Sequence, residues 1–317
     1  MRFALSALFI SLAGPTLAGE FLFPVDCTLG QDCFIQHYVD RDPGPDVRDF
    51  GCGTLSYDGH KGTDIALPDL AAMQGAGIAV RSTLAGRVRG LRDGVPDRGP
   101  GGVQEAMAAG MECGNGVVLD HGNGLESQYC HLRQGSLQVQ EGQELPAGSV
   151  LGLVGQSGAA DFPHLHFELR RNGETLDPFQ PDAVMCQSLA AALWRDDVAY
   201  VPTGLTTVGF STEIPDYDAL MQGDAPDLPQ TASPAFVLWT VGFGSLPGDQ
   251  LRLTLVGPDG IVLDKRIMLD RAQARYMRAV GLRLQAEHWT AGAWRGDVVL
   301  IRDGQQIARR TISRVLD

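Results

Sequence analysis

The chain of 317 residues lacks several features that would indicate other functions. After residue 18 it has no apolar run long enough to cross a bilayer, which argues against a membrane-spanning protein. Its formal net charge is −13 and no basic cluster offsets it, which argues against nucleic-acid binding. Residues 152–158 are rich in glycine but lack the Lys-Ser/Thr ending of a phosphate-binding loop, so we interpret them as a close-packed turn.

Histidine is also scarce, with seven in the chain, and two of them lie in one predicted strand. Residues 162–169 form an apolar run that contains Phe162 and Phe167 and is bounded by Pro163 and by Asn172-Gly173, which is typical of a β-strand. Alternate side chains of a strand share a face, so His164, His166 and Glu168 are predicted to point the same way. A lone His-x-His pair is commonly a structural feature of a core or of a sheet edge. Whether this pair is structural or functional therefore depends on the other motifs of the chain.

A second cluster, His60-Lys61-Gly62-Thr63-Asp64, adds an imidazole and a carboxylate. Imidazole nitrogen and carboxylate oxygen are ligands that zinc takes in proteins. A catalytic zinc site uses three such ligands and leaves a fourth position for water. His60, Asp64 and one histidine of the pair would complete that set.

Three motifs then occur in the order found in the lysostaphin/LytM-type zinc endopeptidases, which cut peptide cross-links in bacterial peptidoglycan. The motifs are His60-x-x-x-Asp64, Tyr129-Cys130-His131-Leu132 and His164-Leu165-His166. The middle of the chain, from about residue 51 to about residue 178, therefore resembles this family. The three motifs together are far more specific than any one alone, and no motif position is substituted.

The resemblance implies one zinc ion per chain, held by His60, Asp64 and His166, with His131 and His164 as the catalytic pair. Zinc in such a site lowers the pKa of its water and polarises the scissile carbonyl. The His-Glu-x-x-His motif, which supplies a glutamate base in many zinc peptidases, is absent. The two catalytic histidines are left to position or deprotonate the water and to stabilise the oxyanion. Glu168 is a candidate for orienting an imidazole, with a solvated carboxylate as the alternative.

The predicted function is hydrolysis of stem or cross-link peptides of peptidoglycan by a zinc metalloendopeptidase. One alternative is a catalytically silent or occluded regulator of other cell-wall hydrolases, since some relatives have lost ligands. All five positions are intact here, but a neighbouring segment could cover an intact site. Another alternative is a zinc D-Ala-D-Ala carboxypeptidase, although the short spacing from His60 to Asp64 favours the endopeptidase.

The start of the chain has the pattern of a secretory signal peptide. In residues 1–18, Arg2 precedes an apolar run that Gly14-Pro15 interrupts, and Ala18 places a small residue at the cleavage site. The sequence therefore predicts an exported protein, periplasmic or extracellular. The rest divides into an irregular lead (19–50), the catalytic domain (51–186), a short helix or linker (187–199) and a small Ig-like β-sandwich (200–317).

Six cysteines remain after the predicted signal peptide, and an even count in an exported chain favours disulfides. Residues 117–120 and 125–129 are predicted to form a hairpin whose turn contains His121, which we interpret as a solvent-facing residue and not a ligand. Counting back from the turn sets Cys130 opposite Asn115 and close to Cys113, so these two cysteines are predicted to pair. Two further pairs are predicted, Cys27 with Cys33 and Cys52 with Cys186. No Cys-x-x-Cys pair supports a zinc–thiolate site.

Tyr129 and His131 are predicted to share a face of the second hairpin strand. The stretch from Arg92 to Gly116, just before this hairpin, has no periodicity, and we hypothesise that it forms a wall of the substrate groove.

The last part of the chain changes character. Residues 183–194, rich in Ala and Leu, predict a short helix. Residues 200–234 are punctuated by prolines and aspartates and predict a boundary or a sheet edge. Strands separated by Pro-Asp-Gly and Arg-Asp-Gly turns follow, at spacings typical of an antiparallel sandwich. This domain shows no catalytic cluster, and wall binding, docking of a protein partner and stabilisation of the catalytic domain are all compatible with it.

Overall fold

The computed structural model describes residues 20–181, 192–224, 226–285 and 288–317. The predicted signal peptide, most of the predicted helix 183–194 and Cys186 lie outside these ranges. Within them, no helix combines the length and the apolar character needed to cross a membrane.

The described chain is mainly β, as predicted, and every pair of neighbouring strands is antiparallel. Ten strands form the first region: β1 (Phe34–His37), β2 (Thr63–Ala66), β3 (Ala79–Arg81), β4 (Gly86–Arg92), β5 (Asn115–Asp120), β6 (Leu125–Leu132), β7 (Glu144–Leu145), β8 (Val150–Leu153), β9 (His164–Arg171) and β10 (Glu174–Thr175). The helices are α1 (Leu70–Gln74), α2 (Val103–Ala108) and α3 (Tyr217–Met221), with a 3₁₀ turn at Gly99–Gly102.

The main sheet of this region has the strand order β1-β2-β9-β6-β5-β4-β7, with β10 added to β9, and β3 pairs with β8 separately. Strand β9 lies between β2 and β6. Its residues Leu165, Phe167 and Leu169 are buried in the largest core cluster, so the alternate residues face the opposite side of the sheet. We call this sheet with its core the catalytic sheet.

The predicted irregular lead contains an edge strand of this sheet. In β1, Phe34 and Ile35 are buried and pair with Ala66 and Ile65 of β2. The strand has only four residues, too few for its alternation to be distinguished from a loop in the sequence. The lead is therefore part of the sheet that carries the site.

The stretch between β4 and β5 also contains more structure than expected, because the 3₁₀ turn and α2 lie within it. The hairpin that follows is confirmed, but its register differs. Asn115 pairs with Leu132, and Val117 with Tyr129, because a bulge separates the two pairs.

Two predicted disulfides are confirmed, Cys113–Cys130 and Cys27–Cys33. The first forms despite the shifted register, since the bulge keeps the two cysteines adjacent. Cys52 is also disulfide-bonded. Its predicted partner, Cys186, lies outside the described residues, so that pairing stays a prediction.

Seven strands in two antiparallel sheets form the C-terminal region, which we call the sandwich: β11 (Gly204–Ser211), β12 (Ala235–Ser245), β13 (Gln250–Gly257), β14 (Gly260–Met268), β15 (Gln273–Arg283), β16 (Gly292–Arg302) and β17 (Gln305–Leu316). One sheet has the order β11-β12-β15 and the other β14-β13-β16-β17. The two sheets share a second apolar core. Strand β14, the fourth of the sandwich, pairs with β13. In constant-type Ig domains the fourth strand pairs instead with the fifth, which here is β15. The Ig-like assignment therefore stays a prediction.

Two strands of the sandwich were not predicted. Strand β11 lies within the proline-rich stretch taken for a boundary, and β15 carries three arginines among its eleven residues. Long charged side chains on a half-exposed strand weaken the alternation that identifies a strand.

Candidate active site

The pairing of β2 with β9 brings two predicted ligands together. Asp64 is the direct cross-strand partner of His166, so the two side chains lie on the same face of the sheet. His60 precedes β2 in a turn that its own amide closes on the carbonyl of Tyr57. Gly62 passes so close that a Cβ there would lie 2.6 Å from Cε1 of His166. Glycine is therefore required where the chain turns back towards the site.

The ligand atoms predicted for zinc converge on one point. His166 Nδ1 lies 2.9 Å from Asp64 Oδ1, and His60 Nε2 lies 3.2 Å from the same oxygen. The two ring nitrogens are 3.2 Å apart. Tetrahedral ligands at zinc–ligand distances of about 2.0–2.1 Å are separated by about 3.3 Å. The spacing and the N, N, O donor set thus fit a zinc ion.

The remaining ring nitrogen of His60 fixes which atom faces this point. Nδ1 lies 2.7 Å from the carbonyl oxygen of Tyr38, which can only accept, so Nδ1 carries the proton. On a neutral ring, Nε2 then presents a lone pair to the carboxylate of Asp64. Two electron-rich atoms at 3.2 Å repel unless a proton or a cation lies between them, so this pair is suited to hold a cation.

A residue that sequence reasoning missed completes the surroundings of Asp64. His37, at the end of β1, lies 3.0 Å through Nδ1 from Asp64 Oδ2, the oxygen turned away from His60 and His166. His37 and Asp64 are partners across β1 and β2. Such an outer contact orients a metal-binding carboxylate. The available signal was weak: a histidine that follows the alternating run Phe34-Ile35-Gln36.

The ionised form of the Asp64 carboxyl is strongly favoured. Burial opposes ionisation of this carboxyl, but His60 and His164, with hydrogen bonds from His166 and His37, outweigh it and hold its pKa well below the ordinary value. Asp64 is therefore a carboxylate at any pH near neutrality.

His131 reaches the site through an unusual backbone conformation. Tyr129 and His131 were predicted to share a face, but Tyr129 packs in the core against Phe167, at 5.4 Å between ring centroids. His131 has φ +62°, in the left-handed region, which breaks the strand alternation at that residue. Its ring therefore lies on the other face, 4.6 Å from the ring of His164 and 5.9 Å from that of His166.

Both predicted catalytic histidines have one nitrogen fixed by a main-chain carbonyl. His131 Nδ1 donates to the carbonyl of Ser157 at 2.8 Å, and His164 Nδ1 donates to that of Phe162 at 2.8 Å. The Nε2 atoms are left as acceptors, and that of His164 lies 3.7 Å from Asp64 Oδ1. Ser157 belongs to the glycine-rich segment, which does form a close-packed turn beside the site. A Cβ at Gly155 would lie 2.3 Å from the amide nitrogen of Arg133.

Burial keeps these two rings neutral. It lowers the pKa of His164 to about 4. Burial also holds the pKa of His131 well below its ordinary value, and the nearby rings of His164 and His166 add to the effect. A neutral imidazole with a free Nε2 can accept a proton, as a general base must.

The other polar residues singled out in the sequence lie outside this cluster. Glu168 does not orient an imidazole: its carboxylate accepts from Arg170 at 2.8 Å on the same face of β9. His121 is not a ligand, as predicted, but it does not simply face solvent: its ring is partly buried and contacts the carbonyl of Ala85 and the hydroxyl of Ser127, away from the site. His288, a histidine that belongs to none of the three motifs, is exposed on the sandwich.

A cluster of His, Asp and His donors with two neutral imidazoles beside it, on the face of an antiparallel sheet opposite its main core, is the kind of site that metal-dependent hydrolases use. Residues 58–178 match the model of Peptidase family M23. The part of the chain that carries the site is therefore similar to the M23 peptidases.

Curated relatives match parts of this domain. The DD-carboxypeptidase/endopeptidase Mpg of Neisseria meningitidis serogroup B is 42% identical over 65 residues, which is 20% of this chain and 14% of that protein. The peptidoglycan DD-endopeptidase ShyA of Vibrio cholerae is 36% identical over 76 residues, 24% of this chain and 17% of that protein. The murein hydrolase activator EnvC of Escherichia coli is 40% identical over 62 residues, 20% of this chain and 14% of that protein. The chain thus spans only about a seventh to a sixth of the length of these relatives.

Proposed function

We propose that the chain is an exported, zinc-dependent endopeptidase that hydrolyses peptide cross-links in peptidoglycan. The observation that carries the proposal is the convergence of His60 Nε2, Asp64 Oδ1 and His166 Nδ1 within 3.2 Å of one another. The M23 match over residues 58–178 and the names of the relatives Mpg and ShyA support the substrate class.

In this proposal His60, Asp64 and His166 hold the zinc ion. Bound zinc supplies Lewis-acid polarisation of the scissile carbonyl and makes a water more acidic. His131 and His164 lie side by side with their Nε2 atoms free, and they accept the proton of the attacking water and return one to the leaving amine. The protonated rings also stabilise the negative charge that develops on the carbonyl oxygen.

The site is deep, but it is not closed. The side chain of His166 is 17% exposed, while those of His60 and Asp64 are nearly inaccessible. The predicted ligands are thus shielded on the core side and open on the side of His166. An extended peptide could approach from there.

The loop between β4 and β5 is placed where it could contact such a peptide, and we keep the hypothesis that it forms a wall of the groove. Arg98 and Gly101 of this loop line a groove together with Asp161, Phe162 and Tyr217. Replacing residues 98–110 by a short glycine linker should change the preference among cross-link peptides while zinc binding is kept. Unchanged relative rates on all peptides would remove the loop from substrate recognition.

Two alternatives each have one observation in their favour. The similarity to EnvC, named a murein hydrolase activator, favours a regulator without turnover. The similarity to Mpg, named a DD-carboxypeptidase/endopeptidase, favours release of a terminal D-Ala. The complete set of five site residues, with the exposed edge of His166, argues for a competent enzyme over a regulator.

The test combines elemental analysis of the purified protein with digestion of purified peptidoglycan and masses of the products. One zinc per chain with release of cross-link fragments is expected. Products that differ only by loss of D-Ala would establish the carboxypeptidase. Zinc without any product would indicate the regulator, and failure to bind added zinc would overturn the ligand assignment.

A further inference from the structure

One arginine of the sandwich lies directly behind the site. Arg275, near the start of β15, places its guanidinium 4.3 Å from the ring centroid of Phe162 and 5.0 Å from that of Phe34. Nε donates to Gln36 Oε1 at 2.9 Å, and Nη2 lies 3.4 Å from the carbonyl oxygen of Leu67. All four partners belong to the catalytic sheet region.

The guanidinium of Arg275 is unusually well shielded from solvent for a cationic group. Its hydrogen bonds within the described residues go to an amide, a main-chain carbonyl and the sulfur of Met221, not to a carboxylate. Burial lowers the pKa of Arg275 to about 10. A desolvated cation is tolerated only where ring faces and well-placed acceptors replace water. The side chain is therefore held in one orientation.

The contact between β1 and β15 consists of hydrogen bonds donated from both strands, and it includes apolar packing. The buried amide of Gln36 accepts from Arg275 and donates through Nε2 to the carbonyl of Ala274 at 3.0 Å. Phe243, the cross-strand partner of Arg275, stacks on Phe34 at 4.7 Å between centroids. The amide pair and the stacked rings fix the edge strand β1 to the sandwich.

Each segment of the first region that Arg275 touches carries a residue of the site. Gln36 immediately precedes His37, the residue bonded to Asp64 Oδ2. Phe162 accepts the Nδ1–H of His164 on its carbonyl, and its ring lies 4.5 Å from the ring of His164. Leu67 follows β2, the strand that carries Asp64.

We propose that Arg275 is a positioning residue and that the sandwich is a structural part of the active site. Arg275 keeps Phe162 against His164, and through Gln36 it keeps His37 against Asp64. The effect on turnover rests on the proposed function, whereas the effect on the position of His164 does not.

The chain offers a matched control in Arg310 of β17. Its guanidinium is also partly desolvated, and burial lowers its pKa. It also joins the sandwich to the first region, through the carbonyls of Gly30 and Gln31, but these belong to the Cys27–Cys33 loop and not to a segment of the site. Both arginines link the two regions, and only Arg275 reaches the site.

The experiment compares Arg275→Ala, Arg275→Lys and Arg310→Ala in the full chain. The readouts are kcat and KM on a cross-link peptide, zinc affinity by chelator competition, and the ¹⁵N shifts of the His164 ring nitrogens. For Arg275→Ala we expect kcat to fall about 10–100-fold with KM within about 3-fold, and zinc affinity to fall by a smaller factor. The His164 shifts should move towards a mixture of tautomers. Arg310→Ala should match the wild type within about 2-fold in kcat.

Arg275→Lys keeps a charge over Phe162 but lacks the planar fork that reaches Gln36 and Leu67 together, so an intermediate loss is expected. If Arg275→Ala does not fold, this variant carries the comparison. The proposal is overturned if folded Arg275 variants and Arg310→Ala show the same kcat and the same His164 shifts. If the wild type has no turnover, the proposed function fails, and the ring shifts alone decide on Arg275.

Discussion

The catalytic sheet and the sandwich are both antiparallel, but their backbones differ in regularity. Four strands of the sandwich run for 11 or 12 residues, whereas β2, which carries Asp64, has four. Of the non-glycine residues described with a positive φ, the sandwich contains one, Asp303 in an Asp-Gly turn. The catalytic region contains the other four, and one of these is His131 itself. Regular strand pairing gives the sandwich a uniform framework. In the catalytic region, a departure from strand geometry directs the side chain of His131 towards the site.

The interiors of the catalytic sheet and the sandwich also differ. The sandwich core is a cluster of apolar and aromatic side chains, while the catalytic sheet buries His60, Asp64, His131 and His164 on one face. Burying polar groups and holding a residue in the left-handed region both lower stability. All six cysteines lie in residues 27–186 and none in the sandwich. The disulfides thus occur in the region that buries the polar groups of the site, and Cys113–Cys130 lies next to His131.

The largest effect that separates the two regions should come from His166→Ala. It removes one of three proposed zinc ligands, so bound zinc should fall from about one per chain to near zero and turnover to background. Elemental analysis and peptide digestion measure both. His288→Ala, an exposed histidine of the sandwich, serves as the control and should change neither. Zinc retained at full stoichiometry in His166→Ala would contradict the ligand set.

A second variant separates chemistry from metal binding within the catalytic sheet. His131→Ala should keep zinc and lose about 10²–10⁴-fold in kcat, because it removes a proposed proton acceptor and no ligand. His121→Ala, on the same hairpin but outside the cluster, should stay within about 2-fold of the wild type. Retained turnover in His131→Ala would exclude His131 from the mechanism.

A smaller effect is expected at the edge of the sheet. His37→Ala removes the hydrogen bond to Asp64 Oδ2, and the loss of such an outer contact typically weakens metal affinity about 10–100-fold. Chelator competition measures it. His37→Gln keeps a donor and should lie between the wild type and His37→Ala. Equal affinities for all three proteins would show that Asp64 needs no such support.

The smallest effect on the site should come from the sandwich core. Leu253 is fully buried, so Leu253→Ala should lower the free energy of unfolding by about 2–5 kcal/mol. Zinc content and kcat should be unchanged below the unfolding transition, since Leu253 touches no segment of the site. Ile261→Ala, at an exposed position on β14, should change stability by less than about 0.5 kcal/mol. A fall in kcat for folded Leu253→Ala would show a closer coupling of the two regions than Arg275 alone provides.

The sequence predicted the β class, the five clustered residues and two of the disulfides because these follow from motifs and local alternation. It placed His131 on the wrong face, because strand alternation assumes an extended backbone and His131 is left-handed. It missed His37, because a four-residue edge strand has too short a pattern and its partner, Asp64, lies 27 residues away. The contact of Arg275 with Gln36 joins residues 239 apart, and no local pattern encodes such a pair.

Strand β9 places Leu165 and Phe167 in the core and His164 and His166 on the other face. Because side chains alternate along a strand, a slip of one residue against β2 or β6 would turn the imidazoles into the core and the apolar residues towards solvent. The pairing that gives a stable sheet is thus the same pairing that assembles the histidine cluster. Metal retention could therefore serve in refolding experiments as a direct report of correct strand register.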